Sequence, residues 1–136
     1  MLLAFDGSPS AATAIAVAGR LLEERHAVVC HVRHGGTRDQ VAAGVELAGE
    51  AGFGVEAMPE REHRKAWRAL LEAAADVDAA LVVAGAHGHS GIGRAILGSV
   101  STGLVHHARL PVLIVPAATA EEPCDGPSLL CYDGSA

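Results

Sequence analysis

The sequence predicts an α/β domain built on an open, doubly wound, mainly parallel sheet with helices on both faces. Short apolar runs alternate with segments of helical period along the whole chain, and only short Gly-, Pro- or Ser-marked breaks separate them. Strands that alternate with helices over short loops require right-handed crossovers, which lay the strands parallel and bury both sheet faces. Half of the residues are apolar but only 3% are aromatic, so Val, Leu, Ile and Ala fill the interior, which suits helices lying close on a sheet. A chain of 136 residues is long enough for one compact core and too short for two ordinary domains.

Residues 1–5 form the first apolar run. Ser8-Pro9 follows as a helix N-cap with proline at the first helical position, and Ala12, Ile15, Ala16, Gly19 and Leu22 then recur on one face. Glu23, Glu24 and Arg25 mark the exposed end of that helix, and residues 27–32 read as the second strand. After His34-Gly35-Gly36, Thr37 caps an Ala-rich helix that runs to about Ala51 and stops at the glycines of 52–54. A weaker strand at 53–58 ends at Pro59. The spacing of Ala66, Ala69, Leu70 and Ala73 predicts a helix over 62–76, with Trp67 shielding part of its face. Residues 79–84 read as a fully buried strand. A glycine-rich stretch from Gly85 to Gly98 leads to a helix over 99–108 and a last apolar strand from Leu110 to Val115.

The C-terminus repeats the N-terminus in part. Leu129-Leu-Cys-Tyr-Asp-Gly-Ser135 matches Leu2-Leu-Ala-Phe-Asp-Gly-Ser8 at five positions, with an aromatic residue opposite an aromatic residue. The segment between, rich in Ala, Glu, Pro and Gly, has the composition of a linker. The expected organisation is therefore a domain over 1–117, a linker over 118–128, and at 129–136 the first strand of a second copy, or a tail strand that pairs with a free sheet edge.

Charge and composition exclude several functions. A net charge of −6 and a pI near 5.7 argue against a nucleic-acid surface or a polybasic membrane anchor. No signal peptide or membrane-length apolar run is present, so a cytoplasmic location is expected. Cys30, Cys124 and Cys131 are odd in number and lack C-x-x-C spacing, so they read as free thiols, with Cys30 in the core. His87-x-His89 and the pair His106-His107 lack the further ligands of a dedicated metal site, and none is expected.

The chemistry lies in the stretch from Gly85 to Ser99. Gly85 and Gly88 permit close backbone approach, so that amide hydrogens can face phosphate oxygens. Gly98-Ser99 then opens a helix whose free amides at Ser99, Val100 and Ser101, together with its dipole, favour an anion, and the two serine hydroxyls add donors. A glycine-rich loop before a helix also serves as a plain tight connection, and Asp6 before Gly7-Ser8-Pro9 equally suits a turn.

The spacing Gly85-x-x-Gly88-(nine residues)-Gly98-Ser99 resembles the universal stress protein family, whose ATP-binding members carry G-x-x-G-(nine residues)-G-[ST]. The resemblance extends to Asp6-Gly-Ser-Pro9, His31-Val32, Gly98-Ser-Val-Ser101 and Leu110-Pro-Val-Leu-Ile-Val115, and covers residues 1 to about 116. It implies a Rossmann-like sheet of order 3-2-1-4-5 and a ligand crevice between the strands that end at Asp6 and Gly85. Carried over residue by residue, it implies that Asp6 and Val32 flank the adenine and ribose, with Gly7 and Ser8 beside Asp6. Ala84, Gly85, Gly88, Gly98, Ser99, Val100 and Ser101 would hold ribose and phosphates. His87, His89 and Arg94 would assist, Arg94 being the one permanent cation of the loop. His89 and Ala86 depart from the family's usual residues, which implies weaker phosphate affinity.

The ligand implied is ATP, AMP or ADP, with or without Mg, and the partner a homodimer mate or a second tandem domain across the edge strand Leu110 to Val115. The first reading is a stress-response regulatory module. The alternatives are a partner-binding domain of the same fold with no nucleotide, and a slow ATP hydrolase, against which stand the missing Walker lysine and the lack of a carboxylate base beyond Asp6. No catalytic residue is assigned. A phosphate-receiver domain is excluded, because Val115-Pro116 carries no lysine after the last strand.

Overall fold

A computed structural model of the protein describes residues 1–23, 26–33, 40–62, 64–88 and 97–116. In chain order the elements are β1 (Leu2–Ala4), α1 (Pro9–Leu21), β2 (His26–Cys30), β3 (Val32–Arg33), α2 (Val41–Glu50), β4 (Gly54–Ala57), β5 (Arg61–Glu62), α3 (Ala66–Asp76), β6 (Val82–Gly85), α4 (Ser99–His107) and β7 (Val112–Val115). The main sheet is parallel throughout, in the order β4-β2-β1-β6-β7. Counting its own strands in sequence, this is the expected 3-2-1-4-5.

Two-residue alternation along the strands divides the core between the faces. Leu3, Val29 and Val83 pack on Ala14, Ile15 and Ala18 of α1 and on Ala48 of α2. Their neighbours Leu2, Val28, Cys30, Val82 and Ala84 pack on Leu70, Ala73 and Ala74 of α3 and on Leu104 of α4. The scarcity of aromatic residues thus becomes close approach of helices to the sheet. Trp67 is the exception. Its ring covers Gly103, where a Cβ would come within 2.3 Å of it, and it stacks on His107 at 4.3 Å. Trp67 is therefore packing.

Several expected boundaries are corrected. The helix expected from Glu62 begins at Ala66, because Arg61 and Glu62 form a short strand instead, paired in parallel with Val32–Arg33 and tied by an Arg33–Glu62 ion pair. The strand expected over 27–32 is broken at His31, with β2 before it and β3 after it. The strand expected from Ala79 begins at Val82, since Asp78 adopts φ 48° and Ala79 N–H closes back on Ala74 O at 2.8 Å as the end of α3. α1 ends at Leu21 with Leu22 as its C-cap, before the expected end at Glu23 to Arg25, of which Glu24 and Arg25 lie outside the described residues. α2 begins at Val41 behind Gln40, while the expected cap Thr37, the linker and the C-terminal repeat also lie outside them. The last strand, expected from Leu110, begins at Val112, and as expected it lies at the sheet edge. Among the described residues no helix is long and apolar enough to cross a membrane.

Candidate functional site

The chain builds outward from β1 to β2 and β4, then returns to place β6 and β7 on the other side of β1. Crossovers on the two sides of that reversal lie on opposite sheet faces, so a crevice opens beyond the carboxyl ends of β1 and β6. A cavity of about 300 Å³ lies there. Such a volume is at the lower end of the roughly 300–1,000 Å³ found for small-molecule sites. Its lining comes from the end of β1 (Ala4, Phe5, Asp6), the β2–β3 junction (Cys30, His31, Val32), the end of β6 (Ala84, Gly85), the turn at His87 and Gly88, and the first turn of α4 (Gly98, Ser99, Val100, Ser101). Ala11 of α1 and Ala66 and Leu70 of α3 complete it.

Ten of the residues singled out in the sequence, Asp6, Val32, Ala84, Gly85, His87, Gly88, Gly98, Ser99, Val100 and Ser101, are thus brought to one cavity. Two are not. Gly7 turns the chain with φ +81°, and Ser8 is buried as the N-cap of α1, its Oγ accepting from Ala11 N–H at 3.2 Å. His89 and Arg94 lie outside the described residues.

The glycines have different causes. A Cβ on Gly85 would lie 2.5 Å from Ser10 Oγ and 2.7 Å from Ser10 O, so helix α1 itself requires glycine at the end of β6. At Gly88 a Cβ would come within 2.8 Å of Asp6 Oδ2, and glycine lets the turn close over the carboxylate. The other oxygen of Asp6 accepts from Ser8 N–H at 2.9 Å, which fixes the side chain at the crevice.

Gly98 stands at the N-cap of α4 with φ −62° and ψ 162°, and its N–H donates to Ala86 O at 2.8 Å. α4 has no side-chain cap. Its first amides lie beyond the reach of the intrahelical ladder, and their residues Ser99, Val100 and Ser101 line the cavity. One expectation is corrected here. The Ser101 hydroxyl does not add a donor to the crevice, because it donates to Gly85 O at 2.8 Å and Ala86 O at 3.0 Å and holds the turn against α4.

The opposite wall was not singled out in the sequence. Phe5, Cys30, Ala66 and Leu70 make it apolar, and burial pushes the Cys30 thiol up to about 11 against a smaller opposing effect of Arg61, so the thiol is neutral there. His31, 2% exposed, accompanies them, with Nδ1 2.9 Å from Phe5 O and Nε2 3.5 Å from Glu60 Oε1. Its sequence signal was the strand-end pair His31-Val32, which marks the place without naming the contact. Among the described residues no group of three or more His, Cys, Asp or Glu side chains could hold a metal ion. The crevice therefore joins backbone donors and a helix dipole at one end to an apolar slot at the other. It can take a ligand that is anionic at one end and flat and apolar at the other.

An open, doubly wound parallel sheet with its crevice at the strand-order reversal defines the fold class. Within that class the chain belongs to the universal stress protein family, whose model matches residues 1–116. Similar solved structures include a universal stress protein from Archaeoglobus fulgidus, 23% identical with a TM-score of 0.68 over 84% of this chain and 96% of that one. A universal stress protein in complex with cAMP is 25% identical, with a TM-score of 0.66 over 85% and 94%. The universal stress protein from Archaeoglobus fulgidus in complex with dAMP is 19% identical, with a TM-score of 0.57 over 84% and 94%.

Proposed function

We propose that this chain is an adenine-nucleotide-binding regulatory module of the cytoplasmic stress response. The observation that carries the reading is the convergence of Gly85, Gly88, the uncapped start of α4 and Asp6 on one cavity with an apolar far wall. The amides of Ser99, Val100 and Ser101 hold phosphate oxygens, as helix N-termini do. Asp6, an acceptor-only carboxylate, takes the ribose hydroxyls. Val32, Ala84 and the apolar wall take the base, His87 stands beside the phosphates, and His89 and Arg94 add to the phosphate end. Relatives solved with cAMP and dAMP support an adenylate as the ligand class. ATP with Mg is the first candidate, AMP and ADP the others.

Isothermal titration with ATP, ADP and AMP, with and without Mg, tests this. Micromolar to sub-millimolar binding that Gly98→Val weakens at least tenfold is the expected outcome. No heat at millimolar nucleotide would remove the proposal and leave a partner-binding domain of the same fold. Phosphate release that survives purification and vanishes in Gly88→Val would favour a slow hydrolase.

The edge position of β7, with Val112, Leu113 and Ile114 half-buried, supports pairing with a second copy or with a tandem domain that the C-terminal repeat would begin. Light scattering is expected to give a dimer that Leu113→Lys dissociates. A monomer at high micromolar concentration would refute pairing of this chain.

A further inference from the structure

We infer that His31 is a positioning residue that ends the β1–β2 ladder so that the peptide edge of Val32 stays open to the ligand. The inference rests on the nucleotide reading of the crevice and adds the residue that makes its base-reading edge. In a parallel ladder, alternate residues of a strand direct both N–H and C=O to the same neighbour. Here Val28 N–H donates to Met1 O at 2.9 Å and Cys30 O accepts from Phe5 N–H at 3.1 Å, so the even-numbered residues of β2 face β1. Val29 O accepts from Met58 N–H at 3.0 Å and His31 O from Arg61 N–H at 3.2 Å, so the odd-numbered ones face β4 and β5. Val32 is the next residue to face β1, and continuing the ladder would send its N–H to Phe5 O.

Among the described hydrogen bonds that acceptor is met by the His31 ring and not by Val32 N–H. The His31 ring stands with Nδ1 2.9 Å from Phe5 O. A carbonyl can only accept, so Nδ1 carries the hydrogen. Beyond Phe5 the chain turns away through Asp6 and Gly7, at φ +81°, and offers Val32 no further partner from β1. Val32, which lines the cavity, thus presents one N–H and one C=O side by side at the end of the sheet. Nε2 of His31 is buried on the far side of the ring, 3.5 Å from Glu60 Oε1 and without a hydrogen bond there, so the Nδ1 contact with Phe5 O is the one that fixes the ring. On the other flank of β1, Gly85 O at the end of β6 accepts from the Ser101 hydroxyl.

A donor and an acceptor on one residue complement a ring edge that carries an acceptor beside a donor. A 6-aminopurine has that edge, and a 6-oxopurine has it reversed.

Two measurements test the inference. Titration of AMP and IMP is expected to favour AMP by more than tenfold in the wild type. The preference falls below threefold in His31→Ala and returns in His31→Asn, whose amide N–H can replace the Nδ1 hydrogen on Phe5 O. An unchanged preference in a His31→Ala protein that melts cooperatively overturns the role. The second measurement needs no ligand. Amide hydrogen exchange at Val32 is fast in the wild type and in His31→Asn, and slows at least tenfold in His31→Ala as the N–H falls back onto Phe5 O. An unchanged exchange rate overturns the ladder argument. If the wild type binds neither AMP nor IMP, the nucleotide reading fails, while the exchange result still decides what His31 does to the sheet.

Discussion

The two helices that begin beside the crevice, α1 and α4, treat their first-turn amides in opposite ways. At α1, Ser8 Oγ accepts from Ala11 N–H, Pro9 has no N–H to satisfy, and Asp6 Oδ1 accepts from Ser8 N–H just before the helix. The side chains of Asp6, Ser8 and Pro9 thus settle this terminus from within the protein. At α4, Gly98 brings no side chain to the cap, and the Ser101 hydroxyl of the first turn donates away from the terminus to Gly85 O and Ala86 O. Both helices have the same dipole, so the dipole alone does not make an anion site. The difference lies in whether the protein has already used the amides. A helix start without a side-chain cap, lining a cavity, is the one that a phosphate can complete.

Giving α4 the kind of cap that α1 has is the sharpest way to break this contrast. Gly98 already has the extended backbone that capping residues use, and a Cβ there would lie 3.3 Å from Ala86 O, a contact relieved by a shift of a few tenths of an ångström. Gly98→Asp therefore places a carboxylate on the amides that the nucleotide needs. The expected result is a fall in ATP affinity of more than tenfold, at least about 1.4 kcal/mol, with a melting temperature that stays level or rises. Unchanged affinity by titration would show that the phosphates lie elsewhere and that the missing cap has no functional meaning.

Much of this arrangement was legible in the sequence because it depends on local signals. Ser8-Pro9 named the start of α1, the alternation of apolar runs with helical spacing named the sheet, and the glycine spacing from Gly85 to Ser99 led to the crevice. What was not legible depends on register. Arg61 and Glu62 look like the charged start of a helix, and only the parallel pairing with Val32–Arg33 makes them a strand. Gly85 suggested a phosphate contact, yet its first constraint is the backbone of Ser10 on α1. The place of His31 on Phe5 O and of Ser101 on Gly85 O follows from contacts between separate segments, which no run of neighbouring residues encodes.

Removing the cap from α1 is the complementary test, with a smaller expected effect. Ser8→Ala deletes the acceptor for Ala11 N–H at a site only 1% exposed, so no water readily replaces it. Loss of an N-cap costs about 0.5–2 kcal/mol, which for a chain of this size lowers the melting temperature by a few degrees. Because Ser8 does not line the crevice, ATP affinity is expected to stay within about twofold, a change of roughly 0.4 kcal/mol. A tenfold loss of affinity with little change in melting temperature would reverse the assignment, since it would mean that the hydroxyl of Ser8 serves the ligand rather than the helix. The first turn of α1 would then belong to the nucleotide site along with that of α4.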